Sequence, residues 1–171
     1  MFFLKKLKHT ITLHPRFFGP EMEDFVKTKL YQDVEGTCTG RYGYVITVVE
    51  VIKISKGRLI SGLGSAEFEV EYQAIVFKPF KYEVLDGIVK NVSKMGFFVD
   101  VGPLVVFVSS HAMPSDMKFD STANPPCFQS DEQTIDKGAL VRLKIMGLKM
   151  EPNDIRAIGT IKEDYLGMIG H

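Results

Sequence analysis

The stretch Ala74 to His111, AIVFKPFKYEVLDGIVKNVSKMGFFVDVGPLVVFVSSH, decides the fold, because one kind of structure ends in it and another begins. Ala74-Ile75-Val76-Phe77 is a short continuous apolar run, the pattern of a strand covered on both faces. Pro79 then interrupts it: proline has no amide hydrogen for a ladder and pushes Lys78 into an extended conformation. A new series follows. Val84 to Val92 carries Gly87, where a coiled strand would bend. Met95 to Val101 pairs back after a polar turn at Asn91 to Lys94, Gly102-Pro103 turns again, and Leu104 to Val108 returns. Short strands joined by tight turns, straight after a linker-like break, open a small barrel.

Residue order within that series adds a resemblance. Gly87-x-Val89-x-x-Val92, Gly96-x-Phe98-Val99 and Val106-x-Val108-Ser109 together resemble the opening of the S-one domain, an RNA-binding form of the OB-fold. Further on, Asp116 to Ile135 is polar and without periodicity, and reads as a long loop around Asn124-Pro125-Pro126. Val141, Leu143 and Ile145 alternate with Arg142 and Lys144, which gives a fourth strand with two bases on its outer face. Pro152-Asn153-Asp154 makes a turn, and Ile155 to Ile161 supplies the fifth strand that an OB-type barrel requires.

Ahead of the junction the pattern is mixed. Leu7, His9, Ile11 and Leu13 alternate with Lys8, Thr10 and Thr12, as in a half-buried strand. His14 to Pro20 is a loop whose Pro20 suits a first helical position. Met22, Phe25, Val26, Leu30 and Val34 then form one face of a helix, with Glu21, Glu23 and Asp24 in its first turn and Gly36 past its end. The glycines of Glu35 to Gly43 follow a helix and precede a strand, the reverse of a phosphate-binding loop, so this is a turn. Tyr44 to Ile52 is apolar and β-branched, and reads as a central strand. Lys53 to Ser65 reads as an exposed loop, and Ala66, Phe68, Val70 and Tyr72 alternate with acidic neighbours in a strand with one wet face. The expectation is an α+β ribonucleoprotein-like domain over residues 1–80 and an all-β, five-stranded OB-type barrel over 81–171.

Composition narrows the function classes. Apolar residues make up 45% and charged residues 25%, the balance of a soluble globular protein. No apolar run approaches a membrane span, and the start MFFLKKLKH lacks a signal peptide's apolar core, which points inside the cell. Cys38 and Cys127 stand far apart with no CxxC or Cys/His cluster, so free thiols are expected, with neither metal nor cofactor. The chain holds 21 basic and 21 acidic residues, divided 11 to 9 before Lys81 and 10 to 12 after Phe80. A protein relying on phosphate contacts alone would be more basic, so nucleic-acid binding has to come from a local patch with stacking. Catalytic motifs are not visible either. Ser109-Ser110-His111 on a short turn does not make a triad, and no paired-carboxylate or phosphate-loop motif is present.

Across its whole length the chain resembles one family. HPRFFGP, VEGTCTGRYGY, the turn into GSAEF, AIVFKPFK, NPPCF and the tail AIGTIKEDYLG are similar, in order, to the seventh-largest subunit of eukaryotic RNA polymerase II, whose archaeal counterpart is the E-prime subunit. The resemblance implies a non-catalytic nuclear subunit that forms a stalk heterodimer with the fourth-largest subunit. It further implies docking by a tip beside the clamp, a role in initiation, and contact with emerging RNA. The equivalent subunit of another nuclear polymerase, or a free-standing single-stranded RNA-binding protein, are the alternatives.

Candidate site residues follow from that template. The S-one binding face uses outward aromatics on its second and third strands, and alternation places Phe98 and Phe107 there. Lys94, Arg142 and Lys144 are the candidate cations. Phe98 is read equally well as capping the core, and Phe107 is better read that way. Phe107 stands where many S-one domains carry histidine, and Met150 and Asp154 replace an acidic–basic pair near the last turn. For the docking tip the candidates are Phe17 and Phe18 in the loop 14–20, and Leu59, Leu63 and Gly64 in the loop 57–65. A second reading has Phe17 and Phe18 closing the local core.

Overall fold

The computed structural model describes residues 1–170, which form two compact units, Met1–Lys78 and Pro79 onward. In the first unit, β1 (Phe2–Leu13), α1 (Met22–Val34), β2 (Cys38–Thr39), β3 (Gly43–Ile54), β4 (Arg58–Leu59) and β5 (Ala66–Phe77) follow in order. The sheet is antiparallel, ordered β1-β5-β3-β2, with β4 beside β5. Strand β5 is its centre: β1 pairs along all of it, from Phe2↔Phe77 to Leu13↔Ala66, and β3 and β4 share its other edge. One face of the sheet carries Leu7, Ile11, Val70, Tyr72 and Val76, and α1 packs Val26, Leu30 and Val34 into the same core. Alternation in β1 and β5 therefore reads out burial directly. Ion pairs Glu23–Lys27 and Lys29–Asp33 lie along the exposed side of the helix.

Two expectations for this unit are corrected. Strand β3 is not central along its length: β2 pairs with Gly43 and Tyr44, Val45 exchanges backbone hydrogen bonds with Thr37 and Gly36, and beyond that its outer edge has no strand partner among the described residues. Its ladder to β5 skips at Ile46, Val49 and Ile52, which are the exposed apolar residues of the strand. A β-branched run thus describes a bulged edge strand, blunted against further pairing, as well as a buried one. Pro20 does not begin the helix either. Met22 N–H donates to Gly19 O at 3.1 Å, a tight turn that holds Pro20 ahead of the helix, whose N-cap is Glu21.

The second unit contains β6 (Val84–Ser93), β7 (Gly96–Val101), β8 (Leu104–Ser109), β9 (Lys118–Asp120), β10 (Cys127–Gln129), β11 (Thr134–Ile135), β12 (Leu140–Glu151), β13 (Asp154–Thr160) and β14 (Gly167–Gly170). Antiparallel pairs β6–β7, β7–β8, β12–β13 and β12–β6, with the parallel pair β13–β8, close a five-stranded barrel. The second unit is thus the expected OB-type barrel. Phe97, Val99, Leu104, Val106, Val108, Val141, Leu143, Ile145 and Ile155 fill it, each at most 1% exposed. Burying one such aromatic or branched side chain contributes about 1.5–3 kcal/mol. Gly87 is required by close approach: a Cβ there would lie 2.5 Å from Val99 Cγ1 and 2.6 Å from Asp100 O. Added to the five is β14, which pairs with β12 and receives support from Gln133, whose Oε1 accepts the Met168 N–H at 2.9 Å.

Residues 116–135 are not a loop. They form a three-stranded sheet, β11-β10-β9, folded onto the barrel. Phe128 lies 6.2 Å from Phe97 and 5.3 Å from Phe119 between ring centroids, and Cys127, Phe128 and Ile135 are buried. Strands of two or three residues are too short to show an alternation, and polar turn residues surround them. In one such turn Asp120 Oδ1 accepts from Thr122 N and Oγ1 at 2.8 and 2.6 Å. This sheet is part of the core, so Phe128→Ala is expected to lower unfolding free energy by about 3–5 kcal/mol in denaturant titration of the purified protein. A change inside about 0.5 kcal/mol, as for a surface loop, would refute that placement.

Candidate nucleic-acid interface

The ladder between β7 and β8 places Phe98 opposite Phe107, and alternation with the buried Phe97, Val99, Val106 and Val108 turns both outward. Their rings lie 4.9 Å apart at 44°, a tilted pair; Phe98 is 41% exposed and Phe107 half-buried. Gly96 is what lets β7 run so close to β8. With φ +150, it leaves a space where a Cβ would collide with Val108 O and touch the Phe107 ring.

Beside the aromatic pair runs a groove of ≈ 590 Å³, floored by the β12–β13 hairpin through Leu148, Ile155, Ala157 and Ile158. Strand β12 has a register shift between Ile145 and Gly147, after which Lys149 faces Arg156 directly across the hairpin. Both cations line the groove, with side chains 76% and 70% exposed. Glu151 lies between them, its Oε1 3.8 Å from Lys149 Nζ and its Oε2 3.4 Å from Arg156 Nε. An apolar trough with two stacked rings and two cations at its rim suits flat bases joined by phosphates.

The cations expected at this face divide. Lys94 is exposed in the turn between β6 and β7, while Arg142 and Lys144 lie elsewhere. They stand opposite Asp86 and Val84 on β6, whereas Phe98 stands opposite Asn91, about 17 and about 23 Å further along that strand. Both are also engaged. Arg142 donates to Asp86 from Nε and an Nη at 2.8 and 3.1 Å, and Lys144 donates to both Glu163 oxygens at 3.1 and 2.9 Å, 5.6 Å from the Tyr82 ring centre. The structure therefore brings Phe98 and Phe107 together and leaves Arg142 and Lys144 outside their groove. Lys149 was missed because the bulge ends the inward alternation of Val141, Leu143 and Ile145 before it, whereas Arg156 lies on β13 as a plain outward position between buried Ile155 and Ala157. The only signal was a basic residue on each side of the Pro152-Asn153-Asp154 turn.

At the first unit, the loop after β1 and the loop before β5 adjoin. Leu13 and Leu59 both pair with Ala66, and a Cβ on Gly64 would be 3.6 Å from Pro15 Cγ. Phe18 is 40% exposed, Leu59 70% and Leu63 71%, large apolar side chains open to solvent on these two loops. Phe17 does not join them outward: its ring lies 5.0 Å from that of Phe25 and it packs against the core. Cys38 and Cys127 are buried and form no disulfide, and burial pushes the Cys127 thiol up. Among the described residues no group of three or more His, Cys, Asp or Glu would hold a metal, and no helix is long and apolar enough to cross a membrane.

Fold and interface define a class: an α+β SHS2 domain followed by an S1 barrel. Residues 8–64 match the SHS2 domain found in the N terminus of Rpb7p/Rpc25p/MJ0397, and residues 78–157 match the S1 RNA binding domain. The chain is 57% identical to the DNA-directed RNA polymerase II subunit rpb7 of Schizosaccharomyces pombe, over 98% of this chain and 99% of that one. It is 52% identical to RPB7 of Saccharomyces cerevisiae, over 99% and 100% of the two chains. Against the archaeal DNA-directed RNA polymerase subunit Rpo7 of Sulfolobus acidocaldarius it is 29% identical, over 99% and 93%. The chain belongs to the Rpb7 family of RNA polymerase II subunits.

Hydrogen bonding from Arg142 holds the Asp86 carboxyl below the usual carboxylate range and lifts the Arg142 guanidinium. A carboxylate depressed by folding stabilises above its unfolded value and loses that contribution as pH falls through the folded one. Thermal unfolding followed from neutral into acid pH is therefore expected to show a shallower loss for Asp86→Asn than for the parent. Parallel profiles would mean that the pair contributes nothing to the acid limb.

Proposed function

We propose that this chain is a non-catalytic, nuclear subunit of RNA polymerase II. It forms a stalk with the fourth-largest subunit, docks beside the clamp, supports initiation and contacts emerging single-stranded RNA. Near full-length identity to subunits of that polymerase carries the assignment. Supporting the heterodimer, the first unit exposes Met1 ahead of β1, Phe2 and Leu4 on β1 and Ile46, Val49 and Ile52 on β3, more apolar surface than one helix covers. Supporting tip docking, Phe18, Leu59 and Leu63 are exposed on two loops that adjoin through Gly64 and Pro15. Identity to polymerase II subunits favours that enzyme over another nuclear polymerase. Pull-down of the chain from nuclear extract tests the assignment as a whole. Polymerase II subunits are expected, and ribosomal proteins alone would favour a free-standing RNA-binding factor. In the same assay, Phe18→Ser with Leu63→Ser should lose the polymerase core while keeping the partner subunit. Retention of both would remove the tip from the interface.

For RNA, the face is the Phe98–Phe107 groove with Lys149 and Arg156, with Lys94 exposed in the turn that leads into β7; Arg142 and Lys144 act in the fold. Stacking on Phe98 is worth about 1–3 kcal/mol and tolerates any base. Phe98→Ala is therefore expected to weaken binding by that amount for different RNA sequences alike, with the salt slope nearly unchanged. Lys149→Ala with Arg156→Ala should flatten the slope, because phosphate contacts set it, whereas Arg142→Ala with Lys144→Ala should leave it intact. Affinity of the purified heterodimer for RNA across a salt series decides. If the Arg142 and Lys144 changes flatten the slope and the Lys149 and Arg156 changes do not, the groove is the wrong face.

A further inference from the structure

The exposed cations at the groove share one carboxylate. Lys149 and Arg156 face each other directly across the β12–β13 hairpin, an arrangement of like charges that repels in an antiparallel pair. Glu151, two residues beyond Lys149 on the same strand, reaches both with its two oxygens, and its side chain is only 29% exposed. Its in-register partner, Asp154, accepts the Ile155 N–H at Oδ1, 2.8 Å away, and Glu151 is in ion-pair range of both cations. One carboxylate is thus shared by the two cations that an anionic ligand at the rim would use.

We propose that Glu151 is an internal competitor for the phosphate of single-stranded RNA: it occupies both rim cations in the free protein, and RNA enters by displacing it. This rests on the reading of the groove as the RNA face. The competitor sets how tightly that face binds. A weakly held carboxylate keeps the rim closed to isolated anions, while a strand that also stacks on Phe98 gains enough elsewhere to exchange it. Such exposed ion pairs are individually weak and easily exchanged. A regulator acting on the groove therefore needs only to hold or release Glu151.

The test uses the full chain, purified with its polymerase partner, and a labelled oligouridylate titrated across a salt series. Glu151→Gln is expected to bind about two- to tenfold tighter at low salt, with the gain shrinking as salt rises. Glu151→Asp keeps the charge but is one methylene shorter and lets go of both cations, so it should follow Glu151→Gln. Adding Glu151→Gln to Lys149→Ala/Arg156→Ala should change nothing further, because Glu151 acts through those cations. Binding of Glu151→Gln equal to the parent overturns the proposal. So does Glu151→Asp behaving as the parent, since the effect would then be net charge alone, and so does a full gain in the absence of the cations. If Phe98→Ala and the cation changes also leave binding untouched, the groove reading falls with it, a pattern distinct from failure of Glu151 alone.

Discussion

Strand β12 changes partners halfway along, and the second unit is built on that exchange. Its first residues pair with β6 on one edge and β14 on the other, and from Lys144 onward β13 takes over the second edge. A strand that continued straight would keep one set of neighbours and leave the sheet open. The register shift between Ile145 and Gly147 lets it bend, so that β13 reaches β8 and the ring closes. The same shift changes the phase of the side chains. Val141, Leu143 and Ile145 point into the barrel before it, and Lys149 stands at the outer rim after it. Closure and the candidate interface therefore share one cause.

Charge is distributed according to the same division. Arg142 and Lys144, on the straight part of β12, are tied to Asp86 and Glu163 and fasten the barrel wall. Lys149 and Arg156, on the bent part, are mostly exposed and share a single carboxylate. Two pairs of bases on one hairpin thus have different work: the first is held by a carboxylate each, the second remains exchangeable. A chain with no net charge can present a local anion-binding rim in this way without a basic surface overall.

In the first unit the constraint is the central position of β5, which is paired along both edges. Its alternation fixes which side of the sheet is apolar, and α1 covers that side. The bulges of β3 then send Ile46, Val49 and Ile52 outward, so the edge strand presents apolar side chains in place of an unbroken ladder. That surface is available to a partner while a regular strand addition is discouraged.

The order of residues alone determined the two-part architecture, the helix, and the strands whose burial alternates, because those features are local: a period of two, a period near four, or a proline without an N–H. The division itself is expected after Phe80, and the compact units part at Lys78 and Pro79. Alternation offers Phe98 and Phe107 as outward residues but leaves Phe98 equally open to a core-capping role, the role favoured for Phe107; the structure sets each between buried neighbours in a regular strand. Tertiary structure decided what local periodicity does not encode. It made β3 an edge, gathered Phe119, Phe128 and Ile135 of a polar stretch into a small sheet, and moved the cations of the groove from Arg142 and Lys144 to Lys149 and Arg156. The physical reason is common to all three. Strand neighbours, bulges and cross-strand charges are settled by pairing between segments far apart in sequence, and a single inserted residue reverses the facing of everything beyond it.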